Sequence, residues 1–310
     1  WQRRRKIRRW QEKKSEKEFA ICFSVHEKNE LNRYINTLVR IKEIDLPGVV
    51  KLYGYKIYID ECDHLKYFKE DIFYGNNENY FYLIRILDLM KNGNIKKLLT
   101  KNHQQKEQFN KIINPTNINK FIFGVCSTMK SLHDIQFIHR NLKPTKIFLD
   151  ENYEPRIMLD VESVFLNGKN YLNESHKLYS GVRVRYFVPY LNSIFNAPEI
   201  LEEYDYSYPV DVYSFAIVLY SIFSSKTPKK RIKGQKVQLI QPLNISDDIW
   251  KLIKSCSSED PNQRPSFEEI VMRLKEERIN FDKNDFNLIE FLEYQNRIEN
   301  SDCDVINDFS

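Results

Sequence analysis

Residues 138–147 read Ile-His-Arg-Asn-Leu-Lys-Pro-Thr-Lys-Ile. Two side chains in this stretch limit the chemistry that it can support. Asn141 carries an amide, which cannot take up a proton near neutral pH. Lys146 carries an ammonium group, which repels Mg²⁺, whereas that ion requires oxygen ligands. The stretch therefore has no side-chain base at position 141 and no metal ligand at position 146.

Further motifs lie before and after this stretch in a fixed order. They are Asp88–Ile95, Leu132-His133-Asp134, Asn196-Ala197-Pro198-Glu199, Asp211-Val212-Tyr213-Ser214-Phe215 and Asp260-Pro261 with Arg264-Pro265. Together with residues 138–147 they resemble the eukaryotic protein kinase family, and most closely the tyrosine-kinase-like Ser/Thr kinases. The resemblance covers residues 5–280. It implies a bilobal α+β fold. The N-lobe, residues 1–88, is expected to be a small antiparallel β-sheet with one helix, and the C-lobe, residues 89–280, is expected to be larger and mainly α-helical.

The hydrophobic pattern of the chain favours the same fold class. Alternating segments at 6–10 and 19–23 predict a β-hairpin, and apolar residues at spacings of three and four predict a helix over 28–44. Strands are predicted over 49–59 and 80–87, followed by a mostly helical region after Gly93. Ser266 and Glu269 have the spacing of a capping box that opens a helix. A strand-rich segment followed by a helical one is an α+β arrangement.

The resemblance identifies the positions that would carry phosphoryl transfer. The family's pattern is His-Arg-Asp-Leu-Lys-Pro-x-Asn, in which the Asp accepts the hydroxyl proton and the Asn holds a metal ion. Asn141 and Lys146 stand at these two positions, and Cys22 stands where the third strand has its lysine. No glycine precedes Gly48, so the glycine loop is absent or replaced. These departures predict a pseudokinase, a protein-interaction, scaffolding or allosteric module without phosphotransfer.

Two alternatives remain open at this point. A weak, atypical Ser/Thr kinase would use Asp160 for a metal ion and Arg5 or Lys6 for phosphate, in the manner of the with-no-lysine kinases. A nucleotide sensor would bind ATP without reaction. The resemblance also makes Leu87 the gatekeeper and Lys143 a residual nucleotide contact. No cofactor is expected, and any binding of ATP with magnesium is expected to be weak.

The resemblance further implies a set of residues that maintain the large lobe. They are His139, Arg140, Glu199, Asp211 and Arg264. An ion pair between Glu199 and Arg264 is expected, and Arg140 often binds an activation-segment phosphate in the family. Candidate phosphorylation sites here are Tyr179, Ser180 and Tyr186.

Charge is unevenly distributed along the chain, whose net charge is +5. Residues 1–14 hold eight basic residues and one acidic residue, whereas 281–310 hold eight acidic and two basic residues. These ends predict contacts with protein partners or with each other. The tail, 281–310, is expected either to form a helix on the kinase-like body or to bind a partner. Neither nucleic-acid binding nor a transmembrane segment is predicted, and five scattered cysteines indicate a reducing, intracellular compartment, cytoplasmic or cytoskeletal.

Overall fold

A computed structural model of the chain describes residues 6–11, 17–59, 79–101, 114–165, 193–202, 207–224, 237–243, 245–276 and 286–305. The chain divides into two compact units, each of which packs mainly against itself. The first unit comprises Trp1–Asp45 and Val50–Lys91, and the second comprises Leu46–Val49 and Asn92–Ser310.

In its described residues, the first unit contains a four-stranded antiparallel sheet and one long helix. Its strands are β1 (Lys6–Gln11), β2 (Glu18–Glu27), β3 (Leu52–Tyr58) and β4 (Tyr80–Asp88), in the order β1-β2-β4-β3. A 3₁₀ turn at Lys28–Glu30 leads into α1 (Leu31–Glu43). Because side chains alternate between the faces of a strand, the paired residues His26 and Phe81 share one face. Their rings lie 4.6 and 5.6 Å from that of Tyr34, so this face packs against α1.

The second unit is mainly helical. Its helices are α2 (Ile95–Lys101), α3 (Pro115–Asp134), α4 (Pro198–Glu202), α5 (Pro209–Ser224), α6 (Asp247–Cys256), α7 (Phe267–Glu276) and α8 (Leu288–Val305). A 3₁₀ turn spans Pro261–Gln263. The described part of this unit also contains two short antiparallel strand pairs: β5 (Phe137–Ile138) with β8 (Val164–Phe165), and β6 (Ile147–Leu149) with β7 (Pro155–Ile157). The stretch 138–147 thus connects β5 to β6.

Helix α5 forms the centre of the second unit because it is mostly apolar and is buried on all sides. Residues Val210–Leu219 are all buried, including Asp211 and Ser214. A helix without a polar face is stable only when other elements cover every side of it. This burial places the carboxylate of Asp211 inside the protein, close to the start of the helix.

Two helix starts are fixed by side-chain caps. Asn114 accepts a hydrogen bond from the backbone N–H of Asn117 (2.8 Å) at the start of α3. At α7, the hydroxyl of Ser266 accepts from Glu269 N–H (3.1 Å) and the Glu269 carboxylate accepts from Ser266 N–H (2.7 Å). The hydrogen bond from Ser266 N–H to the carboxylate lowers the pKa of Glu269. The capping box predicted from the sequence is therefore confirmed.

The C-terminal helix α8 packs against α3. Lys120 Nζ lies 2.5 Å from Glu290 Oε1, and Thr116 Oγ1 accepts from the backbone N–H of Asn287 at 2.8 Å. Tyr294 is 1% exposed, and its ring lies against Gly124, where an added Cβ would come within 1.9 Å of the phenol oxygen. Of the two arrangements expected for the tail, the described part, 286–305, adopts the one that docks on the body.

The α+β class, with an N-terminal antiparallel sheet and a helical C-terminal region, is confirmed and is consistent with a kinase fold. Strand β3 starts at Leu52, three residues later than the strand predicted over 49–59. Gly48 O accepts from Ile157 N–H (2.7 Å) and Val49 forms a bridge with Ile157, so residues 48–49 belong to the second unit. Within the described residues, no helix combines the length and apolar character needed to cross a membrane.

Candidate functional site

The loop between β5 and β6 is held at its backbone by Asp211. One carboxylate oxygen of Asp211 accepts from His139 N–H (2.8 Å), and the other accepts from Arg140 N–H (2.9 Å). His133 Nε2 also lies 3.1 Å from this carboxylate. Arg140 has a φ of 62°, a left-handed conformation that is unfavourable for a side chain of this size. The hydrogen bonds to Asp211 stabilise that conformation.

His139 is buried and uses both ring nitrogens. Its Nδ1 accepts from Asn141 N–H (3.2 Å), and its Nε2 lies 3.3 Å from the carbonyl oxygen of Met158. A ring that accepts at Nδ1 and donates at Nε2 is the neutral imidazole. Burial lowers the pKa of His139, in agreement with that assignment. His139 therefore connects the loop to the segment that follows β7.

Lys146 lies inside the protein and forms an ion pair with Asp160. The Nζ of Lys146 donates to Oδ2 of Asp160, and the side chains are 2% and 1% exposed. The other oxygen, Oδ1, accepts from Val161 N–H at 3.0 Å. Both oxygens of the Asp160 carboxylate thus have donors from the chain itself.

Asn141 forms the second link between the same two segments. Its side-chain Nδ2 donates to Oε2 of Glu162, two residues beyond Asp160. Asn141 and Glu162 are both half-buried. The amide is thus oriented by a carboxylate from a neighbouring segment. Ser163 adds a further contact, since its hydroxyl donates to the carbonyl oxygen of His139 at 3.2 Å.

The ion pair expected between Glu199 and Arg264 is present, and both hydrogen bonds of a bidentate pair are formed. Nη1 of Arg264 lies 2.6 Å from Oε1 and Nη2 lies 2.8 Å from Oε2 of Glu199. The same guanidinium donates to the carbonyl oxygens of Ser258 (2.8 Å) and Pro209 (3.0 Å). It therefore ties α4 to the start of α5 and to the segment before the 3₁₀ turn.

The predicted residues of the first unit lie on its sheet. Cys22 is 6% exposed in β2, and Arg85 is its partner on β4, so both side chains are on the face that packs against α1. Leu87, the predicted gatekeeper, is buried near the end of β4. Lys6 is the first residue of β1 and pairs with Phe23.

The structure describes Lys143 but not the other remaining predicted residues. Arg5, Tyr179, Ser180 and Tyr186 lie outside the described residues. Lys143 is half-buried, and its carbonyl oxygen accepts from Lys146 N–H at 2.7 Å. A nucleotide contact of Lys143 therefore stays a prediction.

Sequence reasoning missed two charged residues of these sites. Glu162 stands next to Val161, and no sequence pattern marks it as the partner of Asn141. Arg85 is 3% exposed although it is charged. The alternating pattern of 80–87 places Arg85 on the same face as Leu83 and Leu87, which is a usable signal of a buried cation.

A sheet with one helix, a helical unit with a buried central helix, and a loop held by Asp211 are together consistent with a protein kinase fold. The family described as protein tyrosine and serine/threonine kinase matches residues 7–274. The chain belongs to that family.

Curated relatives are similar over part of their length. A probable LIM domain-containing serine/threonine-protein kinase of Dictyostelium discoideum is 27% identical over 264 residues, which is 82% of this chain and 34% of that protein. The probable serine/threonine-protein kinase drkC of the same organism is 33% identical over 162 residues, 49% of this chain and 20% of that protein. The cell cycle serine/threonine-protein kinase CDC5/MSD2 of Saccharomyces cerevisiae is 27% identical over 197 residues, 60% of this chain and 25% of that protein. The chain spans about a third or less of the length of these relatives.

Members of this family use magnesium with ATP, so the described residues can be tested for their fit to that ion. Mg²⁺ requires near-octahedral oxygen ligands at close range. In the second unit, Asp160 already binds an ammonium group and a backbone N–H, and Lys146 offers no oxygen. No group of three or more His, Cys, Asp or Glu side chains that could hold a metal ion occurs in the described part of the chain. This donor set does not fit magnesium.

Proposed function

We propose that this chain is a non-catalytic member of the protein kinase family, a pseudokinase domain that acts through binding to other proteins. The observation that carries the proposal is the side chain at position 141. The resemblance to the family's loop pattern places Asn141 at the position of the carboxylate that receives the hydroxyl proton. Its amide donates a hydrogen bond to Glu162 and has no basic site for a proton.

The loss of this base is a large kinetic effect. General-base catalysis typically contributes about 10²–10⁴-fold to rate. The resemblance also places Cys22 at the lysine position and Lys146 at a metal-ligand position, and the family's groups at these positions stabilise charge during phosphoryl transfer. Because such groups act together, their losses need not multiply. Loss of the base alone is sufficient to remove efficient turnover.

The lobe-maintaining interactions support a binding role. Asp211 holds the loop, and Arg264 pairs with Glu199, through contacts within the chain. A protein that kept only its shape would need these contacts and could dispense with the chemistry at 141 and 146. Retained structural contacts together with lost catalytic groups distinguish a pseudokinase from a generally degraded sequence.

The two charged ends of the chain are the candidate contacts for a protein partner. In the tail, Glu290 pairs with Lys120 (2.5 Å) and Glu299 with Lys275 (2.7 Å), so these acids neutralise cations of the same unit. In the basic segment 1–14, Arg9 likewise pairs with Glu18. The +7 charge of this segment favours a contact with an acidic protein surface.

A radiolabel transfer assay with Mg²⁺ or Mn²⁺ tests the proposal, using the purified chain and generic protein substrates. We expect no transfer above that of a matched Asp160→Ala variant. Transfer that is abolished by both Asp160→Ala and Arg5→Ala would contradict the proposal and favour the weak atypical kinase. A thermal shift with ATP but no transfer would instead identify a nucleotide sensor, because a ligand selective for the folded state raises apparent stability.

A further inference from the structure

We propose that the Lys146 ammonium is a built-in substitute for a divalent cation, so that the segment Met158–Ser163 keeps its conformation without metal or nucleotide. The inference deepens the proposed function and rests on it, because an active kinase would have to bind magnesium at Asp160.

The first support is the way in which Lys146 is anchored. Its backbone N–H donates to Lys143 O (2.7 Å), and its carbonyl oxygen accepts from Met158 N–H (2.8 Å). The next residue, Ile147, pairs with Ile157 in the β6–β7 ladder. The backbone of Lys146 is therefore fixed beside the segment that carries Asp160. Its side chain reaches the carboxylate from a position that the fold defines.

The second support is the balance of charge in the buried site. The pair contributes one positive and one negative charge, and both side chains are almost fully shielded from water. A buried charge is tolerated when it is paired and hydrogen-bonded. A divalent ion at Asp160 would have to displace the ammonium or share the carboxylate with it. Unless an anion binds with the ion, either arrangement leaves positive charge in this buried site beyond what the Asp160 carboxylate can neutralise.

The third support is the number of links between the loop and the segment. Besides the Lys146–Asp160 pair, Asn141 donates to Glu162 and Ser163 donates to His139 O. Ser163 N–H also donates to Asp160 O at 3.0 Å, which forms a turn across the segment. All of these contacts are made within the chain. The conformation of the segment is thus specified without an external ligand.

The native chain provides a test that does not depend on a variant. Thermal unfolding is recorded in EDTA, Mg²⁺ and Mn²⁺, with and without ATP, and Mn²⁺ binding is followed by electron paramagnetic resonance. We expect the unfolding midpoint to be unaffected by either ion, and any effect of ATP to be equal in EDTA and Mg²⁺. A rise in the midpoint with Mg²⁺, or bound Mn²⁺ that is lost in Asp160→Asn, would overturn the inference.

The substitution Lys146→Asn tests the mechanism directly. It removes the ammonium, releases Asp160 and supplies an amide oxygen, so the variant should unfold at a lower temperature in EDTA. Mg²⁺ or Mn²⁺ should then raise its midpoint by about 2 °C or more. The matched control, Lys146→Asn with Asp160→Asn, should not respond to either ion. A Lys146→Asn midpoint that is identical in EDTA and Mg²⁺, or a control that responds equally, would refute the mechanism.

These results separate the inference from the proposed function. Divalent binding at Asp160 without phosphotransfer refutes the built-in cation and leaves the non-catalytic role intact. Phosphotransfer that requires the divalent ion refutes both. Hydrogen exchange of Met158–Ser163 in the native chain gives a second readout, which should be the same in EDTA and in Mg²⁺.

Discussion

Tyr294 gives a sharp test of how the C-terminal helix is attached. It is buried between α8 and α3, and its hydroxyl forms no hydrogen bond with any residue that the structure describes. An added Cβ at Gly124 would lie 1.9 Å from that hydroxyl oxygen, 2.8 Å from Pro155 Cγ and 3.0 Å from Tyr294 Cζ. We therefore expect Tyr294→Phe to stabilise the protein and Gly124→Ala to destabilise it, with coupling between the two substitutions.

The expected magnitudes follow from these contacts. A buried polar group without a partner costs about 1–3 kcal/mol, so Tyr294→Phe should increase the free energy of unfolding by about 1 kcal/mol. Burial raises the pKa of Tyr294, so the substitution removes a neutral hydroxyl and no charge. For Gly124→Ala, a helix-propensity gain of about 1 kcal/mol opposes an overpacking cost of about 1–3 kcal/mol. In the Tyr294→Phe background the cost should fall by about 1 kcal/mol, because the closest clash is gone and the contact with Pro155 remains.

Equilibrium urea unfolding of the native chain, the two single variants and the double variant measures this coupling. The additive sum of the single effects serves as the internal control. A Tyr294→Phe variant that is less stable than the native chain would show that the hydroxyl has a favourable partner. Strict additivity would show that Tyr294 does not lie against Gly124, and would refute the docking of α8 on α3.

Three further outcomes are expected. Arg264→Lys retains the charge but loses the bidentate pair with Glu199, and it should cost about 3 kcal/mol in urea unfolding; a loss below about 1 kcal/mol would contradict the buried pair. Because burial lowers the pKa of His139 in the folded state, the unfolded chain binds the proton first as the pH falls below about 6.5. The free energy of unfolding should then fall by up to about 1.4 kcal/mol per pH unit because of this group. His139→Gln should remove that part of the dependence of the unfolding free energy on pH. An unchanged dependence in the variant would show that His139 does not titrate in this way. Ser266→Ala should cost about 1 kcal/mol and Ser266→Thr much less, as measured by thermal unfolding; equal effects would exclude the cap to Glu269.

The elements that the sequence predicted are those with local signals. The hairpin of 6–10 with 19–23 and the helix over 28–44 were predicted from alternating or helical spacing within a short segment. The two strands pair as β1 and β2, and the α-helix spans Leu31–Glu43 after a 3₁₀ turn at Lys28–Glu30. The start of β3 depends instead on Ile157, more than a hundred residues away, which binds the backbone of Gly48 and Val49. No pattern within residues 47–52 carries that information. The shortened strand therefore had to be found from the structure.

At the candidate site, too, local features could be predicted from the sequence and contacts with distant residues could not. The types of side chain at 141 and 146 can be read directly from the sequence, and so can the candidate pair of Glu199 and Arg264. The partners of Asn141 and Lys146 cannot, because they come from a segment whose position depends on the β6–β7 pairing. In an extended chain the carboxylate of Glu162 can adopt many solvent-exposed positions. Only the folded loop selects the one in which Glu162 faces Asn141.

The paired arrangement changes what the presence of Asp160 implies. An aspartate at this position would ordinarily be taken as a remnant of a metal site. Here a buried Lys146 without a counterion would be strongly destabilising, because an isolated charge loses its hydration inside the protein. Asp160 is thus required by Lys146 whether or not any metal binds. Its presence cannot be counted as support for residual catalysis, and the case for activity would have to rest on residues other than this pair.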